Sequence, residues 1–406
     1  MRSASGRPKE NLLLDNRTLR YTMFGLLYFA QGAILSYFTA LNALYLLSFD
    51  LTMSQVGIFS AIALAPFVLK IFLGMLSDRV NLLGKGHRKP YIILGLLIQA
   101  GCLLVVPFIH PGNSFELLAF VAFVLMTGMA LYDTCTDGLA LDTTPPEDEG
   151  TVQGIMVGGR ALGVVVVSAA LGLLAQLTNW TVSFWTLGLI TLIPLALVVQ
   201  VREPDRPSER AFEWKAFRAF GRRQVIALAL LGALYSLVIN GANEIVNPFL
   251  EDRFGISYLM AGLYTAVWGV GVVLGGLTGG RLTDRIGHKR AAMGALVVSL
   301  VAILALAAIT GPVMAWPLVF IFGLAFGYYE TVYFATSMDL TNLRIAASMF
   351  AILMAVANIG TGVGLALGGG LVDAIGYRWT FVIIAALNLL ALPLIPPIFR
   401  RPDKPA

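Results

Sequence analysis

Residues 131–163 read LYDTCTDGLALDTTPPEDEGTVQGIMVGGRALG. Asp133, Asp137 and Arg160 stand there inside two long apolar runs. Within a bilayer an unpaired charge costs roughly 3 kcal/mol on insertion scales, so such a residue needs a partner, water or a task, and is read first as a functional site.

The surroundings fix the environment. Of 406 residues, 58% are hydrophobic and 13% charged, whereas a soluble domain keeps about a quarter of its residues charged. The chain is read as an integral membrane protein. Cys102 and Cys135 fall in different apolar runs, which argues against a disulfide framework or a cysteine metal site. The polar residues before the first apolar run contain no small-residue cleavage site, so that first span is expected to be retained.

With about 20 apolar residues per spanning helix, twelve spans are expected, near 21–47, 53–77, 90–110, 115–141, 152–178, 181–201, 224–248, 257–281, 290–311, 314–338, 345–370 and 377–399. An even number puts both termini on one side. That side collects Arg2, Arg7, Lys9, Arg17, Arg20, Arg79, Lys85, Arg88 and Lys89, the cluster from Arg202 to Arg223, then Arg281, Arg285, Lys289, Arg290 and Arg344, and the basic C-terminal residues. The opposite side holds only Arg253 and Arg378, with Lys70 and Arg160 inside spans. Short cytoplasmic loops collect Lys and Arg, so both termini are expected in the cytoplasm, with the protein in the cytoplasmic (inner) membrane. The net charge of +5 is then a topological signal, and a nucleic-acid partner is not expected. Residues 202–223 form a linker between a first bundle, 1–201, and a second, 224–406; Phe212, Trp214, Phe217 and Phe220 suggest a short interfacial helix within it.

The second half copies the first. Gly74-Met-Leu-Ser-Asp78-Arg79 with Gly86-His-Arg-Lys89 returns as Gly280-Arg-Leu-Thr-Asp284-Arg285 with Gly287-His-Lys-Arg290. Tyr132-Asp133-Thr134, with Asp142 nine residues on, returns as Tyr329-Glu330-Thr331 with Asp339 nine residues on. At about 100° per residue these paired acids lie on opposite faces of one helix. The deeper ones, Asp133 and Glu330, should face the interior, and Asp142 and Asp339 should meet the basic loop. The G-x-L-S/T-D-R signature followed by basic residues resembles motif A of the major facilitator superfamily. That resemblance implies an all-α membrane protein of twelve transmembrane helices in two six-helix pseudo-repeats, with spans 2, 5, 8 and 11 at the seam. It also implies that Asp78, Arg79, Asp284 and Arg285, helped by Asp142 and Asp339, latch one conformation. Lys85, Arg88, Lys89, Lys289 and Arg290 are read as topology and headgroup charges.

Asp133 and Arg160 each stand about nine residues from the same membrane face on antiparallel spans, so they lie at similar depth and can pair. Asp137 is one turn away on nearly the same face as Asp133. The pair is either a packing device or a cavity wall, and two close carboxylates suit proton exchange. Glu330 has Asn358, not Arg, at the matching place in span 11, which makes it a second proton carrier or a packing acid. Glu244 lies in Asn240-Gly-Ala-Asn243-Glu244-Ile-Val-Asn247-Pro248, a broken stretch of the kind that exposes polar groups to substrate. Gln31, Tyr37, Tyr264 and Trp268, with Asn240 and Asn243, are further candidates for lining a substrate cavity. Glycines four apart at Gly154, Gly158, Gly159 and Gly163, at Gly271, Gly275 and Gly279, and at Gly360 and Gly364 suit close helix contact; at the seam they would allow rocking, and dimerisation is the other reading.

Asp133-x-x-x-Asp137-Gly, Pro146-Glu-Asp-Glu149-Gly150 and Gly158-Gly-Arg160-Ala-Leu-Gly163 together resemble the muropeptide-permease (AmpG-like) and acetyl-CoA transporter group. The turn lacks that group's basic residue, and the loop after span 2 looks more like folate/biopterin or glycoside/cation symporters. The likeness implies a proton-driven secondary transporter of a small polar solute, such as an amino-sugar or peptide-containing cell-wall fragment, acting as a monomer by alternating access. Arg160 would meet an anionic group, while Asp133, Asp137, Glu330 or Glu244 would exchange the proton. No P-loop, H-E-x-x-H or G-x-S-x-G occurs, so ATP-driven transport and an enzyme are not expected, and neither a metal nor a cofactor is implied. The rival is a non-transporting assembly or pigment-delivery factor on the same fold. It is weakened because His87, His110 and His288 all fall in loops or at span ends.

Overall fold

A computed structural model describes residues 16–84, 86–145, 148–203, 222–339 and 346–399, apart from the side chains of 83, 339 and 346–348. The aromatic residues of the linker and the side chain of Asp339 lie outside the described residues. Because lipid offers backbone N–H and C=O groups no partner, an apolar chain crosses it as helix. Twelve helices are long and apolar enough to span: α1 Arg17–Ala40, α2 Met53–Arg79, α3 Lys89–Phe108, α4 Phe115–Thr143, α5 Glu149–Leu177, α6 Trp180–Val198, α7 Arg223–Phe254, α8 Tyr258–Ile286, α9 His288–Ala307, α10 Pro312–Met338, α11 Met349–Ile375 and α12 Tyr377–Ile398.

Their ends follow local chemistry. Asn16 accepts from the amides of Thr18 and Leu19 at the start of α1, and Thr52 and Gln55 form a reciprocal capping box at α2. Prolines interrupt the regular ladder. In α2 the α-helix stops at Leu64, Ala65–Phe67 form a tight turn around Pro66, and α-helix resumes at Lys70. In α7 it breaks at Ile245, just before Pro248.

Packing repeats between the halves. Helix α1 lies on α5, α2 on α4 and α3 on α6, as α7 lies on α11, α8 on α10 and α9 on α12. The seam is α2 against α11 and α5 against α8, as the sequence resemblance implies. The quoted glycines do different work from that expected. Gly159 and Gly163 press on the α1 carbonyls of Gly25 and Phe29, Gly271 and Gly275 on α10, and Gly360 and Gly364 on α7. They fasten helices within each half, not across the seam. Gly154 and Gly158 face open space.

Every described hydrogen bond between the halves lies away from the face that carries the termini, or at mid-depth. Asp373 of α11 accepts from the amides of Met53 and Ser54, Asn247 donates to the carbonyl of Ala40, and Ser60 donates to Glu244. At mid-depth, Asn358 donates to the carbonyl of Phe67 at the α2 break. The halves are therefore joined on the far face, and the cleft opens toward the termini.

Candidate functional site

The break in α2 puts Lys70 at the head of a new helical segment that leans on α4. Its ammonium donates to Asp133 Oδ2 at 2.5 Å and sits 3.5 Å from Asp137 Oδ2. From α1, the Tyr28 hydroxyl donates to Asp137 Oδ1. Asp133 is buried, with 5% of its side chain exposed, whereas Asp137 is 40% exposed to the cleft. One cation thus serves two carboxylates of unequal access.

The expected pair of Asp133 with Arg160 does not form. Helix α4 packs on α2 and α3, while α5 packs on α1 and α8, so these neighbours in sequence make only slight contact in the bundle. The α5 backbone at Arg160 meets Gly32 of α1. Arg160 itself is exposed and forms no ion pair among the described residues. Its charge reaches both Tyr28 of α1 and Glu330 of α10, so it faces the cleft between the halves. Glu330, half-buried beside Tyr235 and without an ion pair among the described residues, is the opposing acid. Lys70 and Arg160 thus stand against Asp133, Asp137 and Glu330: two cations and three carboxylates, a formal count of one negative charge in excess.

Closer to the far face, Ser60 donates to Glu244 at 2.6 Å and accepts from Asn42 at 3.0 Å. Beside this chain lies a small pocket lined by Asn243, Asn247, Tyr264 and Trp268, with room for about one water molecule. The Trp268 indole N–H is buried there without a partner among the described residues, and so, elsewhere, on α1, is the Gln31 carbonyl oxygen. Asn240 is occupied by Ser236 and Thr361. Tyr264 is tied to the Pro312 carbonyl by its hydroxyl. Tyr37 points elsewhere than expected: it packs edge-on against Phe38 and Phe184 inside the first six helices, because α6 supplies an aromatic wall on that side.

The residues expected to form a latch are also arranged differently. Buried Arg88 donates to Ser77 Oγ at 2.5 Å and Asp78 Oδ1 at 2.6 Å, and lies 3.6 Å from Asp142. Gly138 makes room for it, since a Cβ there would fall 2.4 Å from its Nε. Glu203 accepts from the amides of His87, Arg88 and Lys89, capping α3. Arg88 thus joins Ser77, Asp78 and Asp142 in a buried network and is not a headgroup charge. Arg79 is exposed and takes no ion pair among the described residues. Asp284 and Arg285 are likewise exposed and form none there. In the turn before α5, Asp148 meets Arg17 and Arg20. Burial opposes its ionisation, yet the hydrogen bonds of Tyr21 and Arg17 and the two guanidinium charges together hold its carboxyl below the usual range.

Lys70, Tyr28, Arg88, Glu203 and Asp148 are not among the residues that the sequence pattern singles out as functional. For Lys70 a signal exists: it is a lysine in the middle of a span, two apolar runs away from the acids it serves.

The Major Facilitator Superfamily family model matches residues 23–349 and 245–406. The anhydromuropeptide permease of Escherichia coli is 25% identical over 384 residues, covering 91% of this chain and 78% of that protein. A bacterial homologue of the human lysosomal transporter Spinster, solved inward-facing and unoccupied, superposes with a TM-score of 0.77 at 21% identity, covering 93% of this chain and 96% of that one. A variant of the nucleoside transporter NupG gives 0.80 at 14% identity, covering 95% and 100%.

Proposed function

The chain belongs to the Major Facilitator Superfamily, and from that premise we propose that it is a proton-coupled carrier of a small polar solute with an anionic group, of the anhydromuropeptide kind. Secondary transport by a multi-pass membrane protein follows from the family. The coupling and the solute are the further steps.

The observation that carries the coupling is the sharing of Lys70. Asp133, buried and bonded at 2.5 Å, stays paired with its cation. Asp137 has the longer contact and the open side, so it is the carboxylate that exchanges a proton with the cleft. Taking up one proton cancels the single excess charge of the five-residue set. An anionic solute then brings back one negative charge where without the proton it would make two, and in a low-dielectric passage net charge is costly, so the halves close over the substrate-bound site more readily with the proton than without it. Arg160, free of any described ion pair and directed at the cleft, receives the anionic group of the solute. Glu330 stands opposite it in the second half. The amides and indole near Trp268 offer hydrogen bonds to hydroxyl or acetamido groups deeper in the cleft.

The basic residues gathered on the terminal face support cytoplasmic termini in the cytoplasmic membrane. The cleft between the halves then opens to the cytoplasm. Residues 1–201 and 224–406 act as the two moving bundles, joined by 202–223, and one copy suffices because both halves of the site come from one chain.

The test is uptake of an anhydromuropeptide into proteoliposomes carrying the purified protein, with internal pH followed by an entrapped dye. Uptake accompanied by proton movement and lost on adding a protonophore is the expected result. Uptake indifferent to the protonophore overturns the coupling; proton-linked uptake of sugars lacking an acid, but not of anhydromuropeptides, overturns the solute class.

A further inference from the structure

On the far face the two halves are held by a pair of clasps that occupy equivalent places in the repeat. In one, the start of α2 meets the end of α11: Gly57 presses on the Leu365 carbonyl and Gly369 on the Met53 carbonyl. In the other, the start of α8 meets the end of α5: Gly262 presses on the Ser168 carbonyl and Gly172 on the Tyr258 carbonyl. A Cβ at any of the four would come within 2.0–2.3 Å of the opposing oxygen. The backbone contacts are therefore matched, and these are the glycines that work at the seam.

The side chains that complete the clasps are not matched. Asp373 accepts from Met53 N at 3.1 Å and Ser54 N at 2.7 Å. At the equivalent place, the Gln176 side-chain oxygen accepts from Leu259 N at 3.3 Å. A helix begins with N–H groups that have no partner inside the helix. In α2 the four at its start are all accounted for: Gln55 takes the Thr52 amide, Thr52 takes the Gln55 amide, and Asp373 of the other half takes the two between. Parting the halves strips those two amides of their acceptor. It also removes a full negative charge from the positive end of the α2 dipole, where an anion is worth more than a neutral amide. At α8 the same movement breaks only neutral contacts: the Gln176 bond, the hydrogen bond of Tyr258 with Ser48 and its ring contact with Trp180.

We infer that Asp373 is the gate residue that biases the carrier toward the state closed on the far face, and that the α2–α11 clasp is the stronger of two otherwise equivalent clasps. The far face then opens unevenly, with α5 and α8 separating at lower cost than α2 and α11. The inference rests on alternating access but not on the identity of the solute or the coupling ion.

The experiment measures the gate without either. Spin labels are placed at N113C and T310C on the far face of the full-length protein in nanodiscs, and the distance distribution is recorded with neither substrate nor gradient. Asp373→Asn keeps one acceptor and removes the charge; it is expected to lower the ratio of closed to open molecules about two- to five-fold. Gln176→Glu supplies the charge to the weaker clasp and is expected to raise that ratio by a similar factor. The second variant adds an interaction instead of removing one, so it reads the gate even if Asp373→Asn folds poorly. An unchanged ratio in Gln176→Glu, or a shift toward open, overturns the inference, and so does a folded Asp373→Asn protein whose ratio matches the parent.

Discussion

Replacing Lys70 by Met strips the buried Asp133 carboxylate, 5% exposed, of a cation 2.5 Å away. Removing one member of a buried ion pair costs about 3–5 kcal/mol, because the other is left charged and unpaired. Asp133→Asn leaves Lys70 with 31% of its side chain exposed and with Asp137 still 3.5 Å away, so its cost is smaller, about 1 kcal/mol by the scale of a lost hydrogen bond. The double variant has neither charge and is expected to lose only about 1–2 kcal/mol, since neutral replacement of a buried pair is cheap. The double-mutant cycle therefore closes with a coupling of about 2–5 kcal/mol, far outside the roughly 0.5 kcal/mol scatter of independent sites. Reversible unfolding of the four proteins in mixed micelles reads it directly. Arg160→Ala in the same assay is expected to stay within about 0.5 kcal/mol of the parent, because Arg160 is exposed. Losses that add for Lys70 and Asp133, or coupling of Asp133 to Arg160 instead, would refute a site built around Lys70.

Arg88→Ala is expected to cost about 3 kcal/mol in the same unfolding assay, through loss of its bonds to Ser77 and Asp78, while Arg79→Ala stays within about 0.5 kcal/mol. Arg88→Lys should recover little, since an ammonium cannot span the three partners of a guanidinium. Asp148 is held below the usual carboxylate range by its hydrogen-bonding and charged partners against an opposing burial effect. Its folded-state value thus lies below its unfolded one, and its contribution is present above the unfolded value near ~4 and lost as pH falls through the folded value. The melting temperature of Asp148→Asn should therefore trail that of the parent at pH 7 and converge on it in acid; a gap independent of pH would contradict the pairing.

The spans were legible because lipid imposes one rule on every residue of a crossing segment: the run 53–77 became Met53–Arg79 and 115–141 became Phe115–Thr143. The repeat was legible too, since equal sequence in two places must pack in two equivalent ways. Partners were harder to read. Asp133 and Arg160 have matching depth, but depth along two helices says nothing of whether they touch, and α1 takes the face of α5 that would have had to meet α4. Lys70 finds Asp133 only because Pro66 interrupts α2 and re-aims the helical segment beyond it. Arg88 reads as one more basic loop residue until Gly138 is seen to leave room for it beneath α4. Small residues four apart likewise announce a close contact without naming the helix on the other side. The first bundle kept Tyr37 for its own core for the same reason: an aromatic ring on an apolar helix face packs where the neighbouring helix supplies a matching wall.

The central claim is that Asp137 carries the exchanged proton while Lys70 and Asp133 hold the site in shape. It is tested most directly by Asp137→Asn in proteoliposomes, comparing uptake driven by a pH gradient with exchange of labelled for unlabelled solute at equal pH. Gradient-driven uptake is expected to be abolished while exchange continues at near the parent rate. Gradient-driven uptake persisting at the parent level would contradict the claim.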